Sequence, residues 1–306
     1  MPMLRLGVDV GGTFTDHILF EEESGELFAF KTPSTPDDPS RSVLDGVGYF
    51  TRNRANGLEG LGLVAHGTTV NTNAILSRSG SRAGLITTKG FRDVLAIGRQ
   101  TRPDFYRWDV DRPEPLIPRS LRVEVSERIN SNGQVILPLD EDSVRCCIDF
   151  LKGQKVEAVA VCLLNSYVNP IHEIRIKELL EEGLPGLYLA ISSDLSPEFR
   201  EFERTSTATT VAYVGPVFKR YIKELELGLQ KDLKPAPQLY IMQSSGGMAS
   251  AQVEVDRPHL TLESGPAAGV LATMELGHRL GMKDVISFDM GGTTAKASLI
   301  RNGKPS

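Results

Sequence analysis

The sequence predicts an α/β protein, and three observations support this fold class. Short apolar runs that suit strands alternate with longer amphipathic runs that suit helices over most of the 306 residues. The 29 glycines concentrate at the junctions between these runs, where the chain must turn sharply. A strand–turn–strand pattern near the start of the chain recurs near its end. The length suits two domains, or one large domain with an insertion.

Composition and charge exclude several classes of protein. Hydrophobic residues make up 40% and charged residues 24% of the chain, which is typical of globular proteins and excludes disordered tails and collagen-like rods. Lys and Arg number 34 against 39 Asp and Glu, so the net charge is −5 and we expect no nucleic-acid partner.

No apolar run is long enough for a membrane span and the first residues do not resemble a signal peptide, so we expect no membrane association and a cytoplasmic location. Adjacent Cys146 and Cys147 lie in an apolar helical pattern, which predicts buried free thiols.

The predicted elements begin with a β-meander, formed by strands at residues 4–10, 15–20 and 26–31. Residues 121–127 and 134–137 predict a hairpin across Asn132-Gly133. Asn169-Pro170 is typical of a helix start. We also predict a long helical region over residues 198–229 that is interrupted near Gly215-Pro216.

One internal repeat carries the functional argument. Residues 6–13 are echoed by residues 286–293, and each copy is a hydrophobic strand, an Asp, one apolar residue and Gly-Gly-Thr before another strand. Paired glycines let backbone N–H groups approach anionic oxygens, and the Thr hydroxyl adds a donor. The Asp would be repelled by phosphate and would instead hold Mg²⁺. One copy suits an ordinary glycine-rich turn, but two copies favour nucleotide phosphate binding, without the Walker A or Rossmann pattern.

The repeat predicts a nucleotide site between its two copies. The catalytic and metal-holding carboxylates would be Asp9 and Asp289. The predicted phosphate contacts are Gly11, Gly12, Thr13, Thr15, Gly291, Gly292, Thr293 and Thr294. His66 begins a polar loop and is a third catalytic candidate, although a lone histidine also suits a hydrogen bond that stabilises the loop.

Other charged residues leave two interpretations open. Lys296 stands where the first copy has Asp16, and it suits either a phosphate contact or a solvated strand position. Arg99 and Arg102 suit an acidic substrate or phosphate, or a plain charged surface. Glu203 and Arg204 lie in a charged helix start that is typical of a solvated ion-pair face.

The doubled Asp-bearing hairpin resembles the ATPase superfamily of actin, heat-shock chaperones and sugar kinases. The resemblance implies a ribonuclease H-like α/β fold with two lobes, and residues 263–269 resemble the small-residue helix that connects them. It also implies four segments. They are residues 1–120 as the first part of the N-terminal lobe, 121–195 as an α/β insertion, 196–262 as the remainder of that lobe, and 263–306 as the connecting helix and the start of a truncated second lobe.

Seven blocks spread along the chain resemble the hydantoinase A/5-oxoprolinase family. They are residues 8–16, 66–74, 87–95, 97–100, 197–207, 242–247 and 288–296. The resemblance implies an enzyme that uses ATP and Mg²⁺ to phosphorylate the carbonyl of a cyclic amide and so drive its ring-opening hydrolysis. It further implies a cyclic amide or ketone as the small-molecule substrate and a second large subunit of the hydantoinase B type as partner.

Two alternatives remain open at this level. One is the ATP-using subunit of an acetone or acetophenone carboxylase, which bicarbonate dependence would distinguish. The other is a non-catalytic nucleotide-switch module, as in the chaperones. Family members continue beyond the second hairpin, so we expect this chain alone to bind ATP weakly and to be nearly inactive.

Overall fold

The chain folds into two units, the first made of Met1–Asn73 and Phe218–Ser306 and the second of Ala74–Val217. The structure is a computed structural model, and it describes residues 3–35, 37–101, 104, 106–107, 109–110, 112–290 and 295–305. Within this described part, none of the helices combines the length and the apolar character that a membrane span requires.

The helices and strands follow one another in a mixed α/β order. Up to residue 129 they are β1 (Leu4–Val10), β2 (Phe14–Glu21), β3 (Leu27–Pro33), α1 (Pro39–Asn53), β4 (Leu61–Thr68), α2 (Val70–Leu76), β5 (Ala83–Thr88), α3 (Val94–Ile97), β6 (Arg122–Val125) and β7 (Arg128–Ile129). Up to residue 232 they are β8 (Val135–Leu137), α4 (Glu141–Gly153), β9 (Ala158–Cys162), α5 (Ile171–Gly183), β10 (Tyr188–Ile191), α6 (Ser192–Leu195) and α7 (Glu201–Asp232). The remainder are β11 (Gln238–Met242), β12 (Met248–Ser250), α8 (Ala251–Asp256), α9 (Ser264–Arg279), β13 (Val285–Met290), β14 (Ala295–Arg301) and β15 (Lys304–Pro305).

The first unit is built on a six-stranded sheet in the order β12-β11-β4-β1-β2-β3. Strands β11, β4 and β1 are parallel, whereas β1, β2 and β3 form the predicted antiparallel meander. Every second residue of β1 is buried, which places the core on one face of the sheet. That core packs the strands against α1 and the C-terminal half of α7. Strands β13, β14 and β15 form a separate antiparallel sheet.

The second unit contains a parallel sheet in the order β10-β9-β5-β6. All residues of β5 and β9 are buried, as expected for central strands of a parallel sheet covered on both faces. The apolar faces of α4 and α5 pack against one side of this sheet. Asn169 Oδ1 accepts a hydrogen bond from the amide of Ile171, which confirms the predicted helix start.

The predicted hairpin at residues 121–137 has a different first strand. Residues 122–125 form β6, which pairs in parallel with β5, and the hairpin across Asn132-Gly133 joins the shorter β7 and β8. The prediction was wrong because β6 buries Val125 by extending the parallel sheet, a long-range pairing that a local pattern does not reveal.

Two further predictions need correction. Helix α7 runs without a break through Pro216, because buried residues on both sides of it, such as Val214 and Phe218, hold the helix in place.

Cys147 is buried but Cys146 is exposed, since neighbouring helical residues point about 100° apart and only one can face the core.

Candidate functional site

The carboxyl ends of β1, β4 and β11 meet at one edge of the sheet in the first unit. Ligands of open α/β sheets bind at such edges. Asp9, near the end of β1, is in register with Gly67 of β4. A Cβ atom on Gly67 would stand 3.1 Å from Asp9 Oδ1, and one on Gly265, in the first turn of α9, would stand 3.5 Å from the same oxygen. Strand β4 and helix α9 therefore both approach the Asp9 carboxylate with bare backbone.

The turn of the first hairpin, β1–β2, is a closed bend with an exposed tip. The Gly11 amide donates to Phe14 O over 3.0 Å, and a Cβ on Gly11 would stand 3.0 Å from that oxygen, too close to be tolerated easily. Ser34 donates its hydroxyl to Gly11 O over 2.8 Å and its amide to Thr13 O over 2.9 Å. Gly12 and Thr13 are exposed. Backbone groups at this tip are therefore available to a ligand.

Thr15, predicted to contact a phosphate, is fully buried. Its hydroxyl donates to Ser42 Oγ over 2.9 Å and lies 3.0 Å from Ser34 Oγ. A phosphate contact from Thr15 requires this network to open, and that contact stays a prediction. The sequence does not predict that Ser34 and Ser42 contact Thr15. A serine near several prolines gives no indication of a hydrogen-bond partner about 20 or more residues away along the chain.

The second copy of the repeat folds as the second hairpin, β13–β14, in the same register. Asp289 pairs across the strands with Lys296, as Asp9 pairs with Asp16 in the first hairpin. Asp289 is exposed. The predicted phosphate contacts of this copy, Gly291, Gly292, Thr293 and Thr294, lie outside the described residues.

The carboxylate of Asp9 is the electrostatic centre of the site. It is accessible to solvent, yet the surrounding protein removes part of its hydration, which raises the pKa of Asp9 above its usual value. The negative charges of Asp16 and of Asp289 raise this pKa further. The two aspartates of the repeat are therefore brought within electrostatic reach of each other.

Two lysines neutralise acidic groups beside these aspartates. Lys31 Nζ lies 3.1 Å from Asp16 Oδ1. Lys296 forms an ion pair with Glu263, the residue before α9, whose φ of 62° is left-handed. Neither Asp9 nor Asp289 forms an ion pair with any residue that the structure describes. Their oxygens are therefore available to a bound cation.

His66, the third catalytic candidate, is fully buried in β4. Its Nε2 lies 2.5 Å from Tyr221 Oη on α7. Burial lowers the pKa of His66 to about 4; the Val8 carbonyl opposes this effect and the nearby His17 adds to it. The ring is therefore neutral at pH 7 and has no exposed surface, so the geometry supports a structural hydrogen bond. A catalytic role for His66 stays a prediction.

The polar loop that follows His66 holds neighbouring segments in place. Asn71 Nδ2 donates to Pro258 O over 3.1 Å and to Thr261 Oγ1 over 2.8 Å, just before α9. Thr69 Oγ1 donates to Val10 O over 3.0 Å, at the end of β1. These bonds tie β1 and the approach to α9 to one loop, so the loop positions the backbone that surrounds Asp9.

The donor set at this edge fits a magnesium–nucleotide complex better than a structural metal. Among the residues with described positions, no group of three or more His, Cys, Asp or Glu side chains could enclose a metal ion. Mg²⁺ typically takes one or two carboxylates and completes its shell with water and phosphate oxygens. Asp9 and Asp289 supply carboxylates of this kind, with no ion pair to any described residue.

The second unit holds a buried polar cluster at the carboxyl edge of its own sheet. Glu173 accepts hydrogen bonds from Leu163 N over 2.8 Å and from Ser192 Oγ over 2.7 Å. Arg204 donates to Leu163 O over 2.8 Å and also to Ser166 Oγ. Both charged side chains are fully or almost fully buried. The prediction of a solvated Arg204 was wrong because α7 turns this residue onto the sheet edge.

Two arginines, Arg99 and Arg102, are candidates for binding an acidic substrate or a phosphate. Arg99 is half-exposed and forms an ion pair with Glu203. Arg102 lies outside the described residues. The ion pair of Arg99 supports the interpretation as surface charge.

The sequence matches two family descriptions that together span most of the chain. Residues 5–184 match "hydantoinase/oxoprolinase N-terminal region" and residues 204–306 match "hydantoinase/oxoprolinase". The caprolactamase subunit alpha of Pseudomonas jessenii is 35% identical over 306 residues, which cover 98% of this chain and 44% of that protein. The 5-oxoprolinase 1 of Arabidopsis thaliana is 32% identical over 328 residues, which cover 96% of this chain and 25% of that protein.

Two solved structures resemble the fold closely. The crystal structure of the ATP-dependent caprolactamase from Pseudomonas jessenii has a TM-score of 0.86 at 35% identity, covering 96% of this chain and 43% of that one. The nucleotide-free acetone carboxylase, described as acting in ATP-dependent acetone carboxylation, has a TM-score of 0.85 at 26% identity, covering 99% and 45%. The likeness confirms the predicted α/β fold of the actin-like ATPases. The chain spans less than half the length of these relatives.

Proposed function

Because this chain belongs to the hydantoinase/oxoprolinase family, we propose that it forms the ATP-binding part of an enzyme that opens cyclic amides. The observation that carries the proposal is the shared register of the two hairpins, which places Asp9 and Asp289 at matching positions, each one residue before its strand ends. Neither carboxylate forms an ion pair with a described residue, and Gly67 brings bare backbone beside that of Asp9. The ATP dependence of the caprolactamase and of acetone carboxylation supports the use of ATP.

The proposed reaction uses ATP because an amide carbonyl is stabilised by resonance. The γ-phosphoryl group moves to the amide oxygen: its bond to the ADP oxygen breaks and a bond to the carbonyl oxygen forms. The carbonyl carbon is then electrophilic enough for water to add, after which the ring C–N bond breaks. A second water releases the phosphate, so that one ATP and two waters yield the amino acid, ADP and phosphate.

The residues of the first unit would position the phosphates for this transfer. Gly12 and Thr13, at the exposed tip of the first hairpin, would donate hydrogen bonds to phosphate oxygens. Asp9 and Asp289 would hold Mg²⁺, which offsets the negative charge that develops on the phosphoryl group. Gly67 would keep the space around Asp9 open, since a Cβ atom there would stand 3.1 Å from its carboxylate oxygen, whereas one on Gly265 would make only an ordinary contact at 3.5 Å.

Replacing the repeat aspartates tests this proposal. The protein is purified from its host with any partner subunit that accompanies it, and phosphate release from Mg-ATP is measured with 5-oxoproline, hydantoin or caprolactam. We expect substrate to stimulate phosphate release, and we expect Asp9→Asn or Asp289→Asn to reduce this release by about 100-fold or more, because each removes a negative ligand of the cation.

Asp45→Asn is the matched control, since Asp45 is an exposed aspartate on α1 in the same unit, away from the repeat. Its phosphate release should equal that of the unsubstituted protein. Phosphate release that no cyclic amide stimulates would contradict the proposal.

The likeness to acetone carboxylase supports a second candidate, an ATP-using subunit of a ketone carboxylase. In that case phosphate release would depend on a ketone together with bicarbonate rather than on a cyclic amide. Either reaction fits a partner subunit, since the caprolactamase relative is itself a subunit. We propose a large subunit of the hydantoinase B type, and copurification from the host tests for it.

A further inference from the structure

The two hairpins of the repeat share one register but carry opposite charges at one position. Asp9 faces Asp16 across the first hairpin, and Asp289 faces Lys296 across the second. Residues directly opposite in an antiparallel pair point to the same face. Lys296 therefore lies on the hairpin face of Asp289, where the first hairpin presents a second carboxylate.

Lys296 does not pair with its neighbour Asp289. Its ammonium group instead forms an ion pair with Glu263, the residue immediately before α9. Glu263 has a left-handed backbone, and its amide points to Thr72 Oγ1 at 3.4 Å, so the start of α9 is held beside the loop around Asp9. The ion pair thus links the helix that approaches Asp9 with the hairpin that carries Asp289.

The ion pair between Lys296 and Glu263 is well suited to opening, so that Lys296 can bind another anion. Both side chains are partly exposed, at 36% for Lys296 and 51% for Glu263, and exposed ion pairs contribute little to stability. Asp289 lies directly across the strands from Lys296, and Gly265, two residues after Glu263, approaches the Asp9 carboxylate, so a nucleotide bound there would bring further negative charge to this lysine. A lysine has three donors on a flexible stem and binds phosphate readily.

We propose that Lys296 binds a phosphate group of the nucleotide, and that Glu263 holds this lysine until the nucleotide displaces the carboxylate. The inference rests on the proposed nucleotide site and adds a residue to it. Lys296 provides a cation at the position where the first hairpin has Asp16, and Glu263 competes with phosphate for it. The two residues therefore have opposite effects on nucleotide affinity.

The test measures Mg-ATP binding by calorimetry on the protein and its variants, each purified from the host with any partner subunit that accompanies it. Lys296→Met should weaken binding by about 10- to 100-fold, because it removes a charge-assisted hydrogen bond. Glu263→Gln should leave binding unchanged or tighten it several-fold, because the competing carboxylate is gone. Lys296→Arg should retain most of the affinity. Lys31→Met is the matched control, since it removes a lysine paired with Asp16 beside the first hairpin, and it should change binding by less than about threefold.

The outcomes separate this inference from the proposed function. If the unsubstituted protein does not bind Mg-ATP, the proposed function fails and the inference fails with it. If it binds but Lys296→Met binds equally well, only the inference is overturned. Equal weakening by Lys296→Met and Glu263→Gln would also overturn it, because that result indicates an ion pair that only supports the fold. Thermal melting of each variant identifies any loss that comes from unfolding.

Discussion

The guanidinium group of Arg204 is buried in the second unit and forms no ion pair with any described carboxylate. Arg204 donates to Leu163 O and Ser166 Oγ, and its charge lies 5.3 Å from the centre of the Tyr167 ring. Buried polar groups are costly unless they are hydrogen-bonded. Leu163 O also accepts a hydrogen bond from Ser166 Oγ over 3.0 Å, so Arg204 is a second, charged donor to this carbonyl and a charged donor to the Ser166 hydroxyl. The residue therefore contributes to stability in the second unit rather than to a charged surface.

Arg204→Met should lower the free energy of unfolding by about 1.5–3 kcal/mol, because it removes the charged hydrogen bonds to Leu163 O and Ser166 Oγ, and only the bond between those two groups remains. Arg200→Met, at the exposed position just before α7, should change it by less than about 0.5 kcal/mol. Urea unfolding at constant m-value measures both. Equal stabilities for the two variants would contradict the role given to Arg204.

At the scale of an element, α1 is positioned by a glycine that accommodates a histidine. A Cβ atom on Gly46 would stand 2.2 Å from the ring of His17, which is fully buried beneath the helix. Helix propensity alone would favour alanine at this position by about 1 kcal/mol. The close approach of α1 to β2 therefore outweighs propensity in the choice of residue.

Gly46→Ala should destabilise the protein by about 1–3 kcal/mol, because the fully buried ring of His17 would have to shift within a packed core to make room for the new Cβ atom. Gly48→Ala in the same helix is the matched control: its Cβ would meet only the guanidinium of Arg52, at 3.1 Å, which can move away. That variant should be stabilised by up to about 1 kcal/mol. Thermal melting gives the sign of both effects, and the same sign in both variants would contradict the argument.

At the scale of the whole molecule, two buried histidines make the first unit sensitive to acid. Burial lowers the pKa of both His17 and His66, the latter to about 4. A histidine whose pKa is lower in the folded state takes up protons preferentially when unfolded. Its contribution to stability is therefore complete above the unfolded value of about 6.5 and is lost as the pH falls towards the folded value.

Between pH 7.5 and pH 5, His66 alone should cost about 2 kcal/mol of unfolding free energy. The double variant His66→Phe with Tyr221→Phe removes the titrating ring together with its hydrogen-bond partner. Between pH 7.5 and pH 5, its loss of unfolding free energy should be about 2 kcal/mol smaller than that of the unsubstituted protein. His278→Gln, at an exposed position in α9, should behave as the unsubstituted protein does. Urea midpoints at the two pH values measure the effect, and an unchanged pH dependence in the double variant would contradict it.

Much of the fold follows from local patterns, and the exceptions have a common cause. The meander of β1, β2 and β3 and the helix start at Asn169-Pro170 depend on residues close together in sequence, and both predictions are confirmed. The pairing of β6 with β5 and the continuity of α7 through Pro216 depend on distant neighbours. The division into four segments stays a prediction.

The features of the candidate site also fall into those that local sequence predicts and those that only the fold produces. The repeated Asp-x-Gly-Gly-Thr pattern identifies both hairpins, because strand alternation and glycine turns are local properties of the chain. Only the folded chain brings Asp9 within electrostatic reach of Asp289, joins Lys296 to Glu263 and buries His66 against Tyr221. These relationships arise where strands and helices that are far apart in sequence pack together, and burial and charge depend on that packing.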